Sequence, residues 1–377
     1  MMIKPWRYLI LVLLTLLGLH FALTVSHEAY GNATSFSRLF PTSKTPSSQS
    51  EIPEQYHWPD NTTFVLDRRA NATMVMLARN GDLQGVVRSI KQMEDRFNKR
   101  FRYPYVFLND ELFTDQFKER VTELTDAPVE FGLIPSEHWH QPEWIDEEKA
   151  SAAREAMEKN NVIYGGSLPY RNMCRFNSGF FFRHELLAKY KYYWPDVTFF
   201  CDLDFDPFIF MQDHDKVYGF TIALPEYGET IETLWKTVRE FMEQNPDFVA
   251  PNNGMGFLSD DGGLNYNRCH FWSNFEIASL DFWRSEPYMK FFDHLDNAGG
   301  FYYERWGDAP VHSIGAALLA PKDKLHFFRE IGYRHEPFQH CPMSEAHRRG
   351  KCWCDSQMDN FDYHWYSCLP KYDRLLE

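Results

Sequence analysis

The sequence predicts an α/β fold with a parallel sheet, and two features of its 377 residues support that prediction. Short apolar, β-prone runs alternate with stretches of helical periodicity after residue 70, and this order is typical of parallel strands joined by right-handed crossovers. Hydrophobic residues make up 44% and charged residues 24%, as in ordinary globular proteins, which excludes wholesale disorder.

The alternation begins with the run ATMVML at 72–77, which predicts the first strand. A break at 80–82 follows, and apolar residues then recur at helical spacing from Leu83 to Phe97. Ligands bind beyond the carboxyl ends of such strands, so Arg79 and Asn80 are candidate binding residues. Similar patterns predict strands at 105–108, 129–133, 190–194, 197–201 and 217–224, and helices at 114–125, 146–160, 230–245 and 285–295.

The N-terminus predicts a membrane anchor. Residues 8–25 contain no charged side chain and are long enough for a short span, whereas a cleaved signal peptide, the alternative, has an apolar region of only about 7–15 residues. Lys4 and Arg7 precede the span, which places the following chain in the lumen, and the short span favours the early secretory pathway. The predicted organisation is a cytosolic tail at 1–7, an anchor at 8–25, a Ser/Thr/Pro-rich stem at 26–66 and a lumenal domain at 67–377.

Charge and cysteine content agree with a lumenal protein. The net charge of −14, without a Lys/Arg block, makes nucleic acid an improbable partner. Disulfides are the default in the secretory pathway, and three glycosylation triplets begin at Asn32, Asn61 and Asn71. The last four cysteines could form two bridges, or a zinc site with His347 or His364, and the odd count leaves one thiol free. The seven cysteines are Cys174, Cys201, Cys269, Cys341, Cys352, Cys354 and Cys368.

Three stretches contain candidate chemistry. Asp202, Asp204 and Asp206 follow an apolar run and could hold a divalent cation on a diphosphate, although helix capping before Pro207 is the favoured alternative. Glu276 stands beside aromatic residues, including Trp272, which suits an oxocarbenium-like centre or, alternatively, a buried aromatic cluster. The stretch at 304–312 offers sugar-binding groups or a structural ion-pair network; its candidates are Arg305, Trp306 and Asp308.

At these stretches the sequence resembles a known family. The motifs NATMVMLARN, RFRYPYVFLND, YRNMCRFNSGFF, CDLDFDPF, KVYGFTIAL, CHFWSNFEIASLDFWRS, GGFYYERWGDAPVHSIGAAL and IGYRHEP follow one another from about Asn71 to near the C-terminus. They resemble those of the fungal Golgi α-1,2-mannosyltransferases, glycosyltransferase family 15. The predicted tail, anchor and stem are also similar to that family.

The resemblance implies a GT-A-type fold, in which a Rossmann-like nucleotide-sugar half joins an acceptor half. It implies retaining transfer of mannose from GDP-mannose to a mannose hydroxyl, with an α-1,2 linkage and Mn²⁺ as cofactor. The family motifs make Glu276 the nucleophile, place Tyr170 and Arg175 near the acceptor, and make His335 a metal ligand. The implied setting is N- and O-glycosylation and cell-wall mannan synthesis by a single-pass type II Golgi membrane protein, in a complex with other mannosyltransferases.

The sequence departs from the family at one point. Members typically read Y-Y-W-R-[VI]-E-P-D-V, whereas this chain passes from Trp194 directly to Pro195 and so lacks a glutamate that ligates the metal. Either nine nucleotides are missing from the coding sequence at a splice junction, which we favour because the other motifs are intact, or Asp196 or the 202–206 carboxylates replace that ligand. The third alternative is a weakened homologue that binds mannan or acts as a scaffold. Mannosylphosphate transfer is a related enzymatic alternative.

Overall fold

The computed structural model describes residues 68–195 and 201–377, which form a mixed α/β fold. Its centre is a seven-stranded sheet in the order β3-β2-β1-β4-β8-β5-β9, and two small sheets pair β6 with β7 and β10 with β11. The strands are β1 (Ala72–Leu77), β2 (Tyr105–Asn109), β3 (Val129–Leu133), β4 (Tyr192–Pro195), β5 (Tyr218–Phe220), β6 (Ala223–Pro225), β7 (Cys269–Phe271), β8 (Ile277–Ser279), β9 (Leu325–Phe327), β10 (Tyr333–His335) and β11 (Phe338–His340).

The predicted helices are confirmed, with ends that differ by a few residues. Thr114 and Asp146 cap their helices, because each side chain accepts a hydrogen bond from a backbone N–H three residues later. The first helix continues as a π-helical segment over Glu94–Asn98. The α-helices are Leu83–Met93, Lys99–Phe101, Asp115–Thr122, Ser136–Trp139, Glu147–Lys159, Leu168–Gly179, Pro207–Asp213, Leu234–Gln244, Met255–Leu258, Leu280–Trp283, Glu286–Ala298, Gly300–Tyr303, Asp308–Leu319, Ser344–Arg349 and Leu369–Leu376.

The sheet is parallel on one side and mixed on the other. The parallel arrangement predicted from the first three strands is confirmed for β1, β2 and β3, and β4 is also parallel to β1. β8 is antiparallel to both β4 and β5, so the sheet as a whole is mixed. The predicted strand at 217–224 is divided between β5 and β6, which pair in different sheets. The predicted strand at 197–201 lies outside the described residues except for Cys201, which is in a bend.

The chain order identifies where a ligand would bind. From β1 the chain moves outward through β2 to β3 and then returns to β4 on the other side of β1. Such a reversal opens a crevice at the carboxyl ends of the two inner strands. β4 pairs with β1 only from Ala72 to Val75 among the described residues, whereas β2 pairs with β1 as far as Leu77.

The helix Asp308–Leu319 forms the centre of the core. All its residues from Ala309 to Leu318 are buried, so its sequence shows no amphipathic period and its existence was not predicted. It packs against β7 and against the helix Leu168–Gly179. Aromatic rings fill much of the surrounding core, which accounts for the high aromatic content of the chain.

Three disulfides tie the C-terminal region to the rest of the fold. The pairs are Cys201–Cys352, Cys269–Cys368 and Cys341–Cys354, and Cys174 is a buried free thiol. Two bridges among the last four cysteines, and a zinc site built on them, were therefore wrong alternatives, because two of these four pair with distant partners. The predicted odd thiol is confirmed.

No helix within 68–195 or 201–377 has the length and apolar character needed to cross a membrane. The predicted tail, anchor and stem lie outside the described residues, so the boundaries proposed for them stay predictions.

Close packing at Gly179 generates a stability prediction. A Cβ at Gly179 would overlap the ring of Phe292, which is 1% exposed and packs against Phe180 and Phe301. We expect Gly179→Ala to lower the free energy of unfolding by about 2 kcal/mol in urea titrations, because the ring has little room to move. Gly85→Ala is the matched control: it lies in Leu83–Met93 with open space around it, and we expect it to stabilise by about 0.5–1 kcal/mol. Equal effects of the two changes would contradict the packing explanation.

Candidate active site

The loop after β1 lies at the predicted edge of the crevice. Asn80 joins this loop to the next one, since its amide donates to the carbonyl of Leu112 (3.0 Å) and accepts from the N–H of Thr114 (2.9 Å). The side chain of Arg79 is exposed and forms an ion pair with Asp82 at 3.6 Å. Asn80 therefore shapes the loop, and Arg79 presents a cation at the carboxyl end of β1.

Each of the three carboxylates of the 202–206 loop has a partner among the described residues. Asp202 pairs with Arg96 at 3.0 Å, Asp204 accepts from Nε of Arg349 at 3.0 Å, and Asp206 accepts from the first backbone N–H groups of the helix Pro207–Asp213. The capping alternative is thus confirmed for Asp206, and the replacement of the missing metal ligand by this cluster stays a prediction. Because Asp202 and Asp204 have cationic partners, their predicted contact with the donor stays a prediction.

Glu276 lies in a buried hydrogen-bond network at the start of β8. Its carboxylate is 3% exposed and accepts from the hydroxyl of Tyr218 (2.8 Å) and from the hydroxyl of Tyr193. The two tyrosines come from β5 and β4, and both are paired with Ala278 of the strand between them. The sheet register therefore brings one hydroxyl to the carboxylate from each side.

His312 completes this network. Its Nε2 lies 3.0 Å from the carbonyl of Asn177 and must donate, since a carbonyl only accepts; Nδ1 lies 3.1 Å from Oε2 of Glu276. Burial lowers the pKa of His312, but the charge and hydrogen bond of Glu276 outweigh burial and raise that pKa overall. The imidazole therefore faces acceptors on both nitrogens and supplies a positive partner to Glu276.

Asp308 stands one helical turn before His312, at the start of the same helix. It is partly buried and accepts a hydrogen bond from the hydroxyl of Ser273 at 2.7 Å. Burial raises the pKa of Asp308, against the opposing effects of His312 and Ser273. Two residues of one helix, Asp308 and His312, therefore bind Ser273 and Glu276 of the 272–276 turn.

The same turn contacts the predicted metal ligand. The ring of His335 lies 4.6 Å from the ring of Trp272, and Tyr333 of the same strand packs 5.3 Å from Phe275. His335 is exposed, with Nδ1 directed at the carbonyl of Glu336 (3.2 Å). The structure therefore brings His335 beside the turn that carries Glu276. Asp196, the other predicted metal ligand, lies outside the described residues.

Tyr170 and Arg305 form a second group of predicted residues. The guanidinium of Arg305 lies over the ring of Tyr170 at 5.3 Å, and its Nη2 lies 3.6 Å from Glu226. Arg305 is 4% exposed, and its Nε has no hydrogen-bond partner among the described residues. A buried guanidinium N–H without an acceptor is costly, which makes this group a candidate site for a ligand oxygen.

Two predicted acceptor residues are not brought to these groups. Arg175 is buried and forms a bidentate pair with Asp296 at 2.7 and 2.8 Å. Trp306 is fully buried and donates from Nε1 to Glu304 at 2.7 Å. Their placement favours structural roles over contact with an acceptor.

Comparison with known proteins identifies the family. Residues 34–376 match the model of the family described as glycolipid 2-α-mannosyltransferase. The chain belongs to this family. It is 54% identical to glycolipid 2-α-mannosyltransferase 1 of Candida albicans, over 88% of this chain and 76% of the relative. It is 49% identical to the O-glycoside α-1,2-mannosyltransferase omh1 of Schizosaccharomyces pombe, over 84% and 82% of the two chains.

Solved structures of the mannosyltransferase family agree with the fold. Core-mannan synthase A of Aspergillus fumigatus, solved in an Mn/GDP form, is 42% identical, with a TM-score of 0.76 over 81% of this chain and 85% of that one. The mannosyltransferase Ktr4p of S. cerevisiae, in complex with GDP, is 42% identical, with a TM-score of 0.77 over 81% and 82%. The recognition of the family from sequence motifs is confirmed.

Sequence reasoning missed four residues that contact the predicted ones in this candidate site: Tyr193, Tyr218, His312 and Glu226. His312 could have been found, because it lies four residues after Asp308 in a stretch already singled out, and that spacing puts both on one helical face. The tyrosines and Glu226 have no local signal, since strand pairing and tertiary packing bring them to their partners.

The raised pKa of His312 predicts a pH-dependent stability difference. Its interaction with Glu276 stabilises the fold below the ordinary histidine pKa of about 6.5, and this stabilisation disappears as pH rises through the higher folded-state pKa. We expect His312→Gln to lower the free energy of unfolding by about 3 kcal/mol near pH 6 and by less at alkaline pH, measured by urea titration. His326 is the control with the opposite sign. Burial lowers the pKa of His326, so protonation of its ring as pH falls lowers the stability of the wild-type fold. A pH-independent effect of His312→Gln would contradict the assigned pair.

Proposed function

We propose that the chain is a GDP-mannose-dependent α-1,2-mannosyltransferase, which transfers mannose with retention to a mannose hydroxyl of a glycan. The observation that carries this proposal is the buried carboxylate of Glu276, which is held by Tyr193, Tyr218 and His312 at the turn that also contacts His335. Support comes from the α-1,2-mannosyltransferase names of the relatives and from the Mn/GDP and GDP forms of two similar structures.

The proposed chemistry follows from the positions of these side chains. Glu276 faces the anomeric centre from a position nearly closed to water, where its negative charge stabilises developing positive charge strongly. The three donors fix both carboxylate oxygens, so the reacting geometry is set before substrate binds. Arg305 and Tyr170 accommodate acceptor oxygens, with Nε of Arg305, which has no partner within 68–195 or 201–377, as the donor.

His335 is the predicted metal ligand that lies within the described residues, and it would hold Mn²⁺ together with oxygens of the nucleotide. Among the described residues, groups of three side chains that could bind a metal occur only at disulfide cysteines. His335 therefore supplies one ligand, its imidazole nitrogen, and the described protein residues alone do not complete the coordination of the metal. A hard divalent cation accepts such a site when substrate phosphates supply the remaining oxygens. When bound, the metal neutralises charge on the departing diphosphate.

The proposed fold type is GT-A. The parallel strands β3-β2-β1-β4, with their switch point at β1 and β4, support a Rossmann-like nucleotide half, and the remaining elements supply the acceptor half. We also propose a single-pass type II Golgi membrane protein with the anchor at 8–25. The uncharged span after Lys4 and Arg7, and three disulfides typical of an oxidising lumen, support this setting. Association with other Golgi mannosyltransferases stays a prediction.

The central test is Glu276→Gln. We expect transfer from GDP-mannose to a free mannoside to fall by at least about 10³-fold, because the neutral amide no longer stabilises the anomeric centre. The assay is product formation, with the linkage determined by NMR. Glu94→Gln is the matched control, since Glu94 is also buried and accepts from Tyr105 at 2.7 Å. Comparable losses of kcat in both variants would remove Glu276 from the mechanism.

Metal binding should depend on the nucleotide. We expect isothermal titration of the lumenal domain with Mn²⁺ to give at least about tenfold tighter binding in the presence of GDP than in its absence, because His335 alone is a weak site. His335→Ala should lower the GDP-dependent affinity further. Tight Mn²⁺ binding without GDP would contradict the shared site.

A catalytically weak, mannan-binding homologue is the second candidate. The sequence favours it, because the chain passes from Trp194 directly to Pro195 and so lacks the family glutamate that ligates the metal. Binding of mannosides without Mn²⁺-enhanced binding of GDP, and without transfer, would select this candidate. Detection of GMP instead of GDP as the product would select mannosylphosphate transfer.

A further inference from the structure

A series of contacting rings leads away from Trp272 to the protein surface. Phe338, Phe361, His364, Trp365 and Tyr366, here called the aromatic ledge, form this series. Phe338 lies 5.9 Å from Trp272 and 6.2 Å from Tyr366, and Tyr366 lies 5.3 Å from Trp365. Trp365 is 85% exposed, so one end of the ledge is open to solvent while the other adjoins the candidate active site.

The ledge also contacts the segment 225–228, which approaches the predicted acceptor residues. The hydroxyl of Tyr366 donates to the carbonyl of Pro225 at 3.3 Å. The next residue, Glu226, pairs with Arg305, whose guanidinium lies over Tyr170. Tyr227 follows with 47% of its surface exposed, and adds a further ring between the ledge and the residues beyond it.

Beyond Gly228 this surface opens into a cleft of about 560 Å³. The cleft lies between the helix Leu234–Gln244 and the loop at 264–268, where Trp235 stacks on Tyr266 at 5.1 Å. Its charged lining balances, with three acidic residues and three basic ones: Glu232, Glu240, Glu243, Lys236, Arg239 and Arg268. Such a lining suits a neutral ligand with many hydroxyls better than a phosphate or a nucleic acid.

We propose that the aromatic ledge, the segment 225–228 and the cleft form one carbohydrate-binding track for the part of the glycan acceptor beyond the mannose that is extended. This inference rests on the proposed mannosyl transfer. Aromatic rings present flat apolar faces to the C–H faces of hexoses, and balanced charged groups bond sugar hydroxyls. The continuity of the ledge with Trp272, and of segment 225–228 with Arg305, selects the acceptor as the occupant over an unrelated partner.

The test compares long and short acceptors in the variant Trp365→Ala. We expect the dissociation constant for a linear α-linked mannotetraose, measured by isothermal titration without donor, to rise about tenfold, and the KM for the same acceptor to rise similarly. Binding and KM of methyl α-mannoside should not change. Leu264→Asp, at the exposed wall of the cleft, should also weaken the tetraose alone. Trp144→Ala, which removes a half-exposed tryptophan from another segment, is the matched control.

The outcomes separate this inference from the proposed function. Unchanged tetraose binding in Trp365→Ala and Leu264→Asp overturns the track, even if transfer proceeds normally. Absence of transfer with intact, Trp365-dependent tetraose binding overturns the enzyme and leaves the track standing. Conversion of a dimer to a monomer by Trp365→Ala, with unchanged tetraose binding, would make the ledge a protein interface and overturn the track.

Discussion

The carboxylate of Glu276 imposes the strictest requirement on this fold, because an ionised group in the interior costs several kcal/mol unless donors surround it. The sheet meets that requirement through β8, which is placed between β4 and β5 so that a tyrosine reaches inward from each neighbour. His312 approaches from a helix whose position depends on the buried contacts of that helix with β7. The order of the strands, their register and the position of the central helix therefore all contribute to holding the carboxylate of Glu276.

Much of the nucleotide side of the fold was predictable because it depends on local pattern. β1 and β3 were predicted with their observed bounds, since apolar, β-prone runs are bounded there by turn residues. The helix Asp308–Leu319 was not, because a helix buried on every side shows no periodicity. The antiparallel β8 is only three residues long, and so brief a strand has no detectable alternation.

The residues of the candidate active site that stand in recognisable sequence motifs could be predicted. Glu276, Tyr170 and Arg305 stand in recognisable stretches, whereas the partners of Glu276 come together only through pairing between distant strands. In the acidic loop, the favoured prediction of helix capping is confirmed for Asp206, but the partners of the other two carboxylates have no local signal. Arg96, at the π-helical segment Glu94–Asn98, and Arg349, near the C-terminus, arrive from elsewhere to bind two of its carboxylates. Charge partners of this kind cannot be identified from one segment of sequence.

The connectivity of the disulfides has a consequence for biosynthesis. Cys201 and Cys269 are translated long before their partners, Cys352 and Cys368, which follow them by 151 and 99 residues. While synthesis continues, both earlier thiols have to stay reduced or pair incorrectly. The covalent framework around the 202–206 loop and β7 is therefore completed only after Cys352 and Cys368 have been synthesised. Loss of the segment that carries these two cysteines would consequently leave two thiols of the central fold unpaired, far from the site of the truncation.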